Sequence, residues 1–138
     1  MNKATKWIIE NLMLLAKAFP ESEMAYDSEN FTWIFIRSFP LPENIRQKYT
    51  RLIMITPGRL GPISQAPGNV YVDKGLTDLN GNTLPFIFDH CGRELDGSGF
   101  AWLSLFIRRW KPSYDVMAGD NLITLTNLIY DGFKNYAQ

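Results

Sequence analysis

The sequence has a single cysteine, Cys91, and a single histidine, His90. An intramolecular disulfide is therefore impossible. A zinc site built from Cys and His is excluded in practice, because such sites need three or four of these ligands. Neither sign of charge is in excess: Lys plus Arg total 14 and Asp plus Glu total 14. A neutral chain exerts no general pull on nucleic acid or on an anionic membrane, so neither is an expected partner. Arg108, Arg109 and Lys111 still form a local basic cluster. No stretch reaches the ~20 apolar residues of a membrane span. The apolar run from Met1 to Lys17 is broken by Glu10, Asn11 and Lys17, and it does not read as a secretory signal. A lone cysteine fits a reducing compartment, and a cytoplasmic protein is expected. Internal repeats and low-complexity tracts are also lacking.

What is present points to a packed core. The 138 residues suit one domain. With 46% hydrophobic and 20% charged residues, the chain can bury enough apolar surface to avoid disorder. Aromatic residues reach 14%, so large side chains should build much of that core.

Residues 3 to 19 read as a helix. Ile8, Leu12, Leu15 and Phe19 recur at helical spacing, and Pro20 marks the end. Phe31 to Phe39 reads as a strand apolar on both faces, with Phe31, Trp33 and Phe35 opposed to Ile34 and Ile36. Tyr49 to Thr56 reads as a second strand, ended by Pro57 and Gly58. A third lies around Asn69 to Val72. The Asn80-Gly81 pair marks a tight turn. Leu84 to Asp89 is a short fourth apolar piece, residues 90 to 100 read as a glycine-containing loop, and Ala101 to Phe106 is apolar again. A final helix runs from about Asp120, its expected N-cap, to Tyr136, with Leu122, Leu125, Ile129 and Phe133 on its buried face. Strands grouped between two helices indicate an α+β domain with a mainly antiparallel meander.

The chemistry concentrates between Leu84 and Pro112. Leu84-Pro85-Phe86, then Leu103-Ser104-Leu105-Phe106, then Trp110-Lys111-Pro112 follow one another in that order. In these motifs, and in its order of elements over nearly the whole chain, the sequence resembles the ubiquitin-conjugating enzyme superfamily, in its compact bacterial form. Bacterial members carry Leu-Pro-His, Leu-Cys-Leu-Phe and Trp-x-Pro in this order. Here Phe86 replaces the His, and Ser104 replaces the catalytic Cys. The resemblance implies an N-terminal helix, a four-stranded antiparallel meander, an irregular active-site stretch and a C-terminal helix over residues 1–138.

It also implies an acyl carrier that needs no cofactor or metal. The cysteine form would take a protein C-terminus as a thioester and pass it to a lysine amine. The implied partner is the C-terminus of a cGAS-like nucleotidyltransferase in a bacterial anti-phage operon. A thiol is partly ionised near neutral pH, whereas a serine hydroxyl needs an adjacent base. Ser104 has no such base at a telling spacing, so the chain as written should relay acyl groups poorly. Two origins for the serine compete: a deliberate Cys-to-Ser substitution, or a natural inactive variant that only binds. The first is preferred, because the motif differs at that one position. By residue type alone, Ser104 would be an ordinary serine without a role.

The supporting candidates are His90, Trp110 and Asp115. His90 makes an ordinary hydrogen bond or gates the active-site loop. Trp110 reads as packing rather than chemistry, and the resemblance implies that it shapes the surface near the nucleophile. Asp115, ahead of Asp89 and Asp96, could polarise an incoming amine. No residue matches the oxyanion Asn of eukaryotic members. Two rival functions stand beside the carrier. One is a non-catalytic binding module of the same fold. The other is a small hydrolase or transferase using Cys91, for which His90 is a neighbour; adjacent residues on an extended chain point to opposite faces, so the pair is not favoured by geometry. A lone cysteine is more often a buried small hydrophobe or a bystander.

Overall fold

The computed structural model describes residues 1–136 apart from 64, 68, 90–94, 96, 106 and 108. Helix α1 spans Lys3–Ala18, and the Asn2 side chain caps it by accepting the Thr5 N–H. Six strands follow: β1 Met24–Tyr26, β2 Trp33–Pro40, β3 Tyr49–Ile55, β4 Val70–Asp73, β5 Ile87–Phe88 and β6 Phe100–Leu103. Helix α2 spans Leu122–Asn135. The architecture is α+β, with one antiparallel sheet between the two helices in sequence.

The sheet order is β1-β2-β3-β4-β6-β5. The first four strands form a meander, and β6 then lies beside β4 with β5 outside it. The sheet therefore exceeds the four strands expected. Its meander also begins earlier than expected, at Met24, a strand three residues long and too short to show an alternation. The expected fourth strand shrinks to Ile87–Phe88, and part of the expected loop, Phe100, belongs to β6.

Alternation sorts each strand between two faces. Ile34, Ile36, Leu52, Met54, Val70, Val72, Ala101 and Leu103 face the helices and are buried. All but Ala101 join one core with Trp7, Ile8 and Leu15 of α1 and Leu122, Leu125, Ile129 and Phe133 of α2. Each buried Val, Leu, Ile, Phe or Met there contributes about 1.5–3 kcal/mol of hydrophobic stabilisation. A polar side chain, Asn11, links the two helices within this layer. Asn11, fully buried, donates to the Trp7 carbonyl at 2.8 Å and accepts the Leu122 N–H at 2.7 Å. It thereby satisfies a free N–H at the start of α2 and pins that helix to α1.

The opposite face is also apolar; no helix among the described residues covers it, although Tyr71 on it is buried. Ala25, Phe35, Ile53, Tyr71, Trp102 and Phe88 form one row across all six strands. Beside it run Glu23 with Arg37, 3.0 Å apart, and Arg51 with Asp73. The sequence reading of β2 as covered on both faces is corrected here: Trp33 is 39% exposed.

Candidate functional site

Position 104 is the first residue past β6. Its backbone N–H donates to the Phe86 carbonyl at 2.9 Å, one step beyond the Ile87 and Leu103 pair that ends the β5–β6 ladder. Leu84, buried, anchors the start of the preceding segment, and the Ile87 N–H closes a turn onto the Leu84 carbonyl. The Leu-Pro-Phe segment and Ser104 are thus brought together, as neighbours across the end of the sheet. Ser104 is half-buried rather than sealed in the core. Its hydroxyl makes no hydrogen bond to another described residue, so none of them acts as its base in this arrangement.

The Phe86 ring contacts two aromatic residues, Phe133 of α2 and Tyr136 at its C-cap. Its centroid is 5.2 Å from that of Phe133, edge-on, and 5.2 Å from that of Tyr136. Such contacts add about 0.5–1.5 kcal/mol beyond burial. Asn44 donates to the Phe133 carbonyl at 2.9 Å, tying that end of α2 to the turn after β2. On the other side of Ser104, Leu105 also packs on the core. A Cβ at Gly132 would stand 3.7 Å from Leu105 Cδ2, so the last turns of α2 back both flanks of the site.

Trp110 is half-buried and packs against the core. The chain then leaves and returns through a narrow neck. Asp120 accepts the Lys111 N–H at 2.8 Å and returns its own N–H to the Lys111 carbonyl at 2.9 Å. Any Cβ at Gly119 would come within 2.5 Å of that carbonyl, so only glycine fits there. Between these points the loop exposes Tyr114 and Met117. Asp115 belongs to this loop. It is exposed, and its carboxylate caps a short 3-10 turn by accepting the Met117 N–H at 3.1 Å. It makes no hydrogen bond or ion pair with Ser104, so its carboxylate has a local structural use. Asp120 is likewise not the cap of α2. Asn121 is, accepting from Ile123 and Thr124 at 2.9 and 3.0 Å within a capping box. Asp89 is exposed and Arg109 and Lys111 face solvent. His90, Cys91, Asp96 and Arg108 lie outside the described residues.

An open groove of about 640 Å³ runs along the uncovered sheet face, between Ala25, Trp33, Phe35, Ile53, Ile55 and Leu95. Ser104 is not part of its wall. Residues flanking the groove already have partners of opposite charge, and Arg51 also lies 4.2 Å over the Phe100 ring. The sequence reading missed this groove, because it took the apolar outer residues of β2 as covered. The Phe86, Phe133 and Tyr136 cluster was missed too; spacing on α2 reveals Phe133 as buried but not what it touches. Compared with known proteins, the chain matches no family model, no curated protein and no solved structure.

Proposed function

We propose that this chain is a ubiquitin-conjugating-like acyl carrier with its acceptor at position 104, and that the serine there holds turnover back. The supporting observation is the setting of Ser104: half-buried, just past the sheet, with a fixed backbone and a hydroxyl unused by any other described residue. That is a position from which a side chain can be acylated without loss of a structural hydrogen bond.

The chemistry follows from the side chain. In the cysteine form, the thiolate attacks the carbonyl carbon of a C-terminus already activated as a thioester. A new C–S bond forms, the donor's C–S bond breaks, and the donor sulfur leaves as a thiolate. A lysine amine then attacks the same carbon. The C–N bond forms, the C–S bond to residue 104 breaks, and the ammonium proton passes to solvent. A serine hydroxyl must first lose its proton to a base, and its oxyester resists aminolysis. The proposed donor is the C-terminus of a cGAS-like nucleotidyltransferase, in anti-phage defence.

The test uses Ser104→Cys in a Cys91→Ser background and a short peptide thioester ending in glycine. We expect a thiol-labile adduct on residue 104 that passes to lysine faster than from a free peptide with the same Leu-Cys-Leu segment. Equal rates overturn the carrier reading. Any activity that survives Cys91→Ser also removes Cys91 as its nucleophile.

A second reading, a non-catalytic binding module of the same architecture, is favoured by the open apolar groove. It gains if the cysteine form carries no adduct.

A further inference from the structure

The backbone at position 104 is held by an atom of Phe86, and Phe86 is held by α2. We infer that Phe86 is the positioning residue for position 104, acting through its carbonyl and clamped by the Phe133 and Tyr136 rings. The inference rests on the reading of position 104 given above.

Three observations carry it. The Ser104 N–H to Phe86 carbonyl bond, at 2.9 Å, lies beyond the last strand pair, where the ladder no longer fixes the chain by itself. The Phe86 ring contacts Phe133 of α2 and Tyr136 at its C-cap, both at 5.2 Å, which restrains the side chain next to that carbonyl. Leu105 and Gly132 close the other flank, which makes α2 the common support of residues 86 and 105. Moving the ring would release the carbonyl and let residue 104 drift. Small misplacement of a reacting atom is costly: roughly a hundredfold in rate for 1 Å. Phe86 touches neither donor nor amine in this scheme, so its part is positional.

Two measurements test this. Amide exchange at residue 104 is followed in the unaltered chain and in Phe86→Leu, Phe86→Tyr and Tyr136→Ala. The same changes are placed in the cysteine form, and single-turnover transfer from residue 104 to lysine is timed. We expect Phe86→Leu and Tyr136→Ala to speed exchange at 104 by roughly ten- to a hundredfold, with exchange in β2 and β3 unchanged. Transfer should slow by a similar factor at unchanged apparent KM for the amine, and Phe86→Tyr, which keeps the ring, should retain both properties. If Phe86→Leu and Tyr136→Ala leave exchange at 104 as it was, the inference is overturned, whatever the transfer shows. If exchange rises but transfer is unaffected, the positional role is overturned too. Failure of the cysteine form itself to acquire an adduct, with Phe86 intact, counts instead against the carrier reading. Tyr136 is only partly buried at the end of α2, so its variant folds even where a change at Phe86 does not.

Discussion

Along β2, Ile34 and Ile36 turn toward the helices and are fully buried, whereas Trp33 and Phe35 turn the other way into an open groove. The same holds on β3, where Leu52 and Met54 are sealed while Ile53 and Ile55 line the groove. All eight residues are large and apolar. What separates them is the presence of a second layer: α1 and α2 cover one face, and on the other the groove stays open beside Leu95. Hydrophobicity sets the potential for burial, and the neighbouring layer decides whether it is realised.

Truncating one residue on each face separates the two most clearly. Leu52→Ala should cost about 2–5 kcal/mol in denaturant unfolding, because it removes a fully buried side chain and leaves a cavity. A cost near that of an exposed site would mean that the helix layer is loose. Asn11→Ala should cost about 1–3 kcal/mol, since it strands the buried Leu122 N–H. The measurement is again the unfolding free energy, and an unchanged value would show that α2 does not depend on this pin. Trp33→Ala, on the open face, should cost less than about 1 kcal/mol. A loss comparable to Leu52→Ala would show that the groove is closed in solution.

The smallest effect belongs to Asp27, in the turn that leads into β2. Its carboxyl is held down to about 2 from an ordinary 3.8, first by the Thr32 hydroxyl and then by the N–H groups of Thr32, Asn30 and Glu29. A folded value below the unfolded one gives stabilisation that is complete above pH 3.8 and is lost as pH falls toward 2. Unfolding midpoints of the unaltered chain and Asp27→Asn should therefore differ above pH 4 and converge near pH 2. A gap that is constant with pH would rule this carboxylate out as the source.

Much of the scaffold was legible from periodicity. The stripe Leu122, Leu125, Ile129 and Phe133 is fully buried, and α1 is bounded within a residue of the expected range. The Asp78 to Asn82 turn forms with Gly81 at φ 84°, a backbone conformation that favours glycine. Less was legible where short elements depend on pairing. Met24–Tyr26 is a strand only because β2 offers it a partner, and Ile87–Phe88 only because β6 does. The site shows the same division. Ser104 stands out by its motif, but the carbonyl that fixes it comes from Phe86, and the rings that fix Phe86 come from residues 133 and 136. Asp115 drew notice by residue type, yet its carboxylate serves a local cap.

Two amphipathic helices, the principal strands and the turns between them can be read from the amino-acid order, because they follow from local spacing and from residues with restricted backbone choices. Which apolar face is covered, the insertion of β6 between β4 and β5, and the contacts that hold position 104 in place arise only on packing. Those outcomes depend on contacts between residues far apart in the chain, and no local pattern encodes them.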